Sequence, residues 1–212
     1  MGYSQAGYEM VGVDHVPQPR YPFQFIRSDA LEYLATVKPG EFDLIHASPP
    51  CQAYSKTRRL QGNEHPDLVG EVRAALERIG GAWVIENVPG SPLRSPVTLC
   101  GTMFGLKVYR HREFECSQML LAPPCPGHFE KCAKMGRPAG EGQFLHVVGH
   151  FSDVQAARRA MEIDWMSRDE LAQAIPPAYT RWVGEQINEQ ATQREVHSLW
   201  EAVQARLGYR AV

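Results

Sequence analysis

An α/β fold built on a mainly parallel sheet is what this sequence predicts, and three observations predict it. Short apolar runs alternate with helix-like stretches from Glu9 to Val88. The runs stop at acids or at Pro-Gly pairs, as strands that feed crossover connections do. The stretch between two of them, "HPDLVGEVRAALERIG" (65–80), keeps Leu68, Val69, Val72, Leu76 and Ile79 at helical spacing. Strand, helix and strand in that order call for right-handed crossovers and parallel pairing.

Each element has its own signal. "EMVGVD" (9–14) reads as a strand ending in Asp14, and "FQFIR" (23–27) as a second. "SDALEYLATV" follows as a helix that Ser28 or Asp29 can cap. "EFDLIHA" (41–47) and "AWVIENV" (82–88) flank the 65–80 helix, and Pro89-Gly90 closes the second of them. After Ser91 the rhythm fades. "HREFEC" (111–116) and "FLHVVGHF" (144–151) are expected strands, and the Pro-, Gly- and Lys-rich stretch from Leu121 to Gly142 an expected loop. "SDVQAARRAM" and "SRDELAQAI" are helices with Ser152 and Ser167 as caps. "PPAYTRWVGEQINEQ" starts another with proline in its first turn. A polar "EQATQRE" then leads to "VHSLWEAVQARL", where Val196, Leu199, Trp200, Val203 and Leu207 form an apolar stripe. That stripe is expected to pack on the sheet's own helices or on a second copy of the chain.

Composition narrows the class. The chain has 212 residues, 43% hydrophobic and 22% charged, with a formal net charge of −2. That is enough chain for a real core. A nucleic-acid site would need a local basic face, since no global one exists. No run approaches the ~18 apolar residues of a membrane span, and no basic-then-apolar leader opens the sequence. Five irregularly spaced cysteines argue for reduced thiols and a cytoplasmic setting.

Three groups of residues can carry chemistry. Ser48-Pro49-Pro50-Cys51-Gln52 places a thiol just past a strand, behind two prolines that fix the backbone. Open α/β sheets put their ligands at that end of the strands. Glu86-Asn87-Val88 ends the next strand, so Glu86 and Cys51 can face one crevice. A carboxyl desolvated there has a raised pKa and can donate a proton at neutral pH. In Arg110-His111-Arg112 the i, i+2 spacing puts both guanidiniums on one strand face. Taken singly, each group has a plainer reading: a small thiol in a turn, a solvated glutamate, a charged strand.

Taken together and in this order, they resemble the DNA cytosine-5 methyltransferases. "SPPCQ" is similar to that family's nucleophile loop, "ENV" to its glutamate motif, and "RHR" to the end of its Gln-x-Arg-x-Arg motif, with Val108 where the glutamine would be. "GYEMVGVD" resembles the segment whose acid, here Asp14, holds the cofactor ribose. "SDALEYL" resembles the one whose aspartate, here Asp29, contacts the adenine. "AQAIPPAY" is similar to a Gly-Asn-x-Val-Pro-Pro element, with Ala172 and Gln173 at its first two positions. The resemblance implies a Rossmann-like class I methyltransferase sheet, with S-adenosylmethionine as methyl donor and double-stranded DNA with a flipped cytosine as substrate. It makes Cys51 the nucleophile, Glu86, Arg110 and Arg112 its catalytic partners, and Pro49 a cofactor contact beside Asp14 and Asp29. Met1-Gly2-Tyr3 matches the helix after the family's Phe-x-Gly-x-Gly-Gly loop, so a central first strand is expected to be missing. The implied division is a cofactor-binding and catalytic core over 1–115, a short target-recognition region over 116–143, a return to the core over 144–190, and a C-terminal helix over 191–212.

Two other roles stay open at this level: a catalytically impaired relative that binds nucleic acid or a partner, and the same thiol chemistry on free cytosine nucleotides. Cys116, Cys125, His128 and Cys132 number four potential zinc ligands, but their spacing is looser than the usual paired motifs. Ordinary loop cysteines and a surface histidine are the simpler reading, and no metal is expected. Trp165, Trp182 and Trp200 are expected to pack in the core or between helices.

Overall fold

The computed structural model describes residues 1–51, Tyr54, 67–133, Arg137, 139–140 and 142–207. Gln52 and the first two residues of the 65–80 segment lie outside them. The chain opens with a short helix, α1 (Gly2–Gln5), followed by strands β1 (Val11–Asp14) and β2 (Gln24–Arg27). Helix α2 (Ala30–Thr36), strand β3 (Leu44–Ala47), helix α3 (Val69–Ile79) and strand β4 (Ala82–Asn87) come next. Strands β5 (Val97–Leu99) and β6 (Arg112–Cys116) precede helices α4 (Val154–Met161), α5 (Arg168–Gln173) and α6 (Pro177–Leu207).

The fold is mixed α/β with two sheets. One pairs β1 with β2 in parallel; the other has the order β3-β4-β6-β5. There β3 and β4 run parallel, while β6 is antiparallel to both of its neighbours. Among the described strands, parallel pairing is thus limited to β1–β2 and β3–β4. Among the described residues β1 is not paired with β3, and both are only half-buried, whereas β4 is buried throughout.

β4 explains the layering. Its alternate residues Trp83 and Ile85 join Leu34, Val37, Val72, Leu76 and Ile79 in a core under α2 and α3. Ala82 and Val84 point the other way, into a larger core with Phe114, Tyr179 and Val183. The period-2 alternation of a strand buried on both faces gives this division directly. On the second face Gly2 lies so close to α6 that an added Cβ would meet the Pro177 carbonyl oxygen at 2.1 Å. Only glycine lets α1 seat there.

Two expected caps are present, and several other elements differ from expectation. Asp29 caps α2 by accepting from Leu31 and Glu32 N–H, and Ser167 caps α5 in a reciprocal box with Glu170. For α4 the cap is Asp153 rather than Ser152, because Asp153 Oδ1 accepts from the Ala156 amide. The 144–151 stretch forms only single bridges, Cys132 with Phe144 and Val108 with Leu145. Buried Leu145 and Val147 alternate with exposed His146 and Val148, so the chain is extended. The Val147 carbonyl, however, is taken by the Arg110 side chain rather than by a neighbouring strand. The two C-terminal helices are one, since the polar "EQATQRE" contains no breaker. Val196, Leu199, Trp200 and Val203 are exposed, so among the described residues the first of the two expected arrangements, packing on the sheet's own helices, is not seen. The Leu207 side chain lies outside the described residues. Trp165 and Trp182 do pack against the core.

Candidate active site

The β3–β4 register places the site. Ala47 pairs with Ile85, and one step further Ser48 falls beside Glu86 and Pro49 beside Asn87. Asn87 Nδ2 donates to the Pro49 carbonyl at 3.0 Å in a buried bond, while its own Oδ1 accepts from Val88 N–H at 2.8 Å. The side chain of one strand end therefore holds the rigid loop of the other. Cys51 follows two residues later, half-buried and reduced.

Glu86 is buried, with 7% of its surface exposed. Arg112 forms an ion pair with it, Nε lying 3.0 Å from Oε1. Burial raises the carboxyl pKa, while the Arg112 charge, a hydrogen bond from Ser48 and the Arg110 charge pull it down; burial prevails. The result is a carboxyl that keeps its proton to higher pH than a free glutamate, next to a fixed cation.

Arg110 does something different. It is 3% exposed, and its guanidinium donates to the carbonyls of Val147 and Ala172, the latter at 2.7 Å. The Arg110 carbonyl in turn accepts from Tyr179 Oη at 2.7 Å. These bonds tie the arginine segment to the 144–151 stretch, to α5 and to α6. Burial, then the Arg112 charge, lower its pKa to about 9, while Glu86, Tyr179 and Cys51 favour its charged form. It remains a cation at neutral pH. Arg112 and Arg110 thus divide the work: one faces the carboxyl, the other fixes the frame. Val108 is buried in the core, as an apolar residue at that position should be.

No motif gave Tyr3 or His46 a role at the site. Tyr3 Oη meets His46 Nδ1 at 2.7 Å, His46 Nε2 meets Ser48 Oγ at 3.0 Å, and Ser48 bonds Glu86. With His46 neutral, the donors run one way, from Tyr3 through His46 and Ser48 to the carboxyl. Burial pushes the His46 pKa down to about 4. A histidine neutral in the fold but protonated in the unfolded chain makes stability depend on pH. Its contribution is complete above about 6.5 and is lost as pH falls from there through 4, up to about 3 kcal/mol. Urea unfolding at several pH values is expected to show this slope in the wild type. His46→Gln, which still bonds but does not titrate, should flatten it; an unchanged slope would mean another group carries it.

The expected cofactor residues Asp14, Asp29 and Pro49 sit at or just past the ends of β1, β2 and β3. Asp14 Oδ1 accepts from Val16 N–H at 2.8 Å and Oδ2 from Gln18 Nε2 at 3.2 Å, with the side chain 40% exposed. Asp29 Oδ1 takes both α2 amides, and Oδ2 takes neither of them. Pro49 is buried, its carbonyl committed to Asn87. Gln173, at the asparagine position of the last element, is exposed at the end of α5. A shallow concavity lined by Tyr8, Asp43, Ala82 and Arg194 lies at the opposite, amino end of β4 and contains none of these residues.

No protein-family model matches the sequence, and no curated protein matches it.

Proposed function

We propose that this chain is a Rossmann-like class I methyltransferase that acts at C5 of cytosine in DNA. The observation that carries the reading is the strand-end constellation: a carboxyl with a raised pKa, paired at 3.0 Å with Arg112, one strand from a thiol loop held by Asn87.

The chemistry follows from the base. C5 of cytosine is a poor nucleophile, and the ring must lose aromaticity before it can attack. The Cys51 thiolate adds to C6, forming an S–C6 bond, and the displaced electron pair moves into the ring. Glu86 supplies a proton or a strong hydrogen bond at N3, which relieves that charge. Arg112 holds Glu86 in place and adds a positive charge at the O2 side of the base. C5 is then an enamine carbon and takes the methyl group. Loss of the C5 proton to a base and cleavage of the S–C6 bond restore the ring and the thiolate. A stacked cytosine cannot reach the thiol, so the base must be flipped out of the duplex.

S-adenosylmethionine would supply an electrophilic methyl group. Asp14 fits the ribose hydroxyls, as a half-exposed acid at the carboxyl end of β1. Asp29 Oδ2 fits the adenine amino group, because the helix cap uses only Oδ1. Covalent capture tests the reading. DNA carrying 5-fluorocytosine is expected to attach to the wild-type chain through Cys51 when the methyl donor is in excess.

A further inference from the structure

Four side chains outside this site meet at the edge of the second sheet. The β5–β6 register pairs Leu99 with Arg112, and one further step sets Cys100 opposite His111. Cys100 is still extended there, at φ −134° and ψ 145°, so the two are cross-strand neighbours. The other two come from the loop after β6. Cys125 and His128 are three residues apart, and Gly127, at φ +100°, turns the chain so that both face the strand pair.

One ligand atom from each of Cys100, His111, Cys125 and His128 lies within 4.8 Å of all the others. His128 Nε2 is 3.3 Å from Cys100 Sγ and 3.6 Å from Cys125 Sγ. A tetrahedral zinc with bonds of about 2.3 Å to sulfur and about 2.0–2.1 Å to nitrogen spaces its ligand atoms by roughly 3.3–3.8 Å. Both His128–sulfur separations fall in that range, and the other donor atoms lie within 4.8 Å of one another. Two thiols and two imidazoles are also the donor set that borderline-soft zinc prefers.

The surroundings hold these donors in place. Thr102 Oγ1 donates to Cys100 Sγ at 3.1 Å and lies 3.6 Å from Cys125 Sγ. The His128 ring is stacked on Tyr109, with centroids 3.9 Å apart, and on His111, at 4.7 Å. Tyr109 is itself stacked on Phe144, and its hydroxyl bonds both the N–H and the carbonyl of Glu130 at 3.0 Å. Ligand orientation by such neighbours is a regular feature of built metal sites.

We infer that Cys100, His111, Cys125 and His128 bind one structural zinc ion. Four protein ligands complete the tetrahedron, so the ion stabilises the fold and leaves no open position for substrate. It fastens the loop after β6, which has no helix or strand among its described residues, to the sheet edge. It also fixes the backbone at His111, and with it Arg110 and Arg112 on either side. Cys125 and His128 belong to the quartet suspected from spacing, but Cys116 and Cys132 do not. The Cys116 sulfur accepts from Gln118 N–H at 3.4 Å, and Cys132 only bridges to Phe144.

Metal analysis of the chain, purified without chelators from zinc-supplemented cells, tests the inference. About one zinc per chain is expected. Cys125→Ser and His111→Ala should lose it, Cys116→Ser and Cys132→Ser should keep it, and His128→Cys, which preserves a ligand, should retain it where His128→Ala does not. Should the ligand variants fail to fold, cobalt added to the chelator-stripped wild type gives a second reading. Intense tetrahedral bands with thiolate charge transfer are expected there. A wild type without zinc and without cobalt bands, a Cys100–Cys125 disulfide in its place, or full zinc in Cys100→Ser/Cys125→Ser would overturn the assignment.

Discussion

Glu86→Gln is expected to slow covalent attachment to cytosine by about 10²–10⁴, the range typical of losing a general acid. The amide keeps the shape and its oxygen still faces Arg112 and Ser48, so the fold should survive. What disappears is the proton. Burial raises the carboxyl pKa against the pull of Arg112, Ser48 and Arg110. Arg112→Leu should also slow attachment, because it removes the fixed cation at 3.0 Å and frees the carboxyl to turn. Both rates are read from single-turnover capture with the methyl donor in excess. A Glu86→Gln variant as fast as wild type would remove Glu86 from the chemistry.

Arg73→Met is expected to destabilise the chain by about 3–5 kcal/mol, the cost of stripping one partner from a buried ion pair. Arg73 and Glu115 are 6% and 4% exposed and bond in a fork, at 2.6 Å through Nε and 2.7 Å through Nη2. Nη2 also reaches the Pro92 carbonyl, and Arg94 N–H donates to the same carboxylate. This network joins α3 to β6 and to the segment before β5. With methionine in place of arginine, the Glu115 charge would remain buried with a single amide donor. Arg73→Met/Glu115→Leu should recover part of the loss, since no charge is then stranded. Urea unfolding measures both. A loss below about 1 kcal/mol for Arg73→Met would place the pair with surface ion pairs instead.

Legibility followed the range of the interactions involved. β3, α3 and β4 were readable because apolar periodicity and Pro-Gly punctuation are local signals, and their adjacency put Glu86 beside Ser48. β5 was not readable: three residues are too few to show a period, and its pairing with β6 is what makes it a strand. The 144–151 stretch has a strand's alternation without a sheet, because an arginine side chain takes the carbonyl that a ladder would use. Arg110 and Arg112 look equivalent in sequence, and only the tertiary partners separate a frame residue from a carboxyl partner. Tyr3 and His46 are 43 positions apart, so nothing in the sequence marks their bond. Cys100 and His111 escaped for the same reason, since strand register, not spacing, brings them to Cys125 and His128.

The proposed mechanism turns on a bond between the Cys51 thiol and C6 of cytosine. DNA with 5-fluorocytosine at every cytosine covers whichever target sequence the chain uses, and fluorine cannot leave as a proton does. Once the methyl group is on C5, the S–C6 bond therefore cannot break. The wild-type chain, with S-adenosylmethionine in large excess, is expected to run as a denaturation-resistant protein–DNA species, and peptide mapping should place the link at Cys51. Cys51→Ala should give none. An adduct that persists in Cys51→Ala, or none from the wild type under these conditions, would contradict the account.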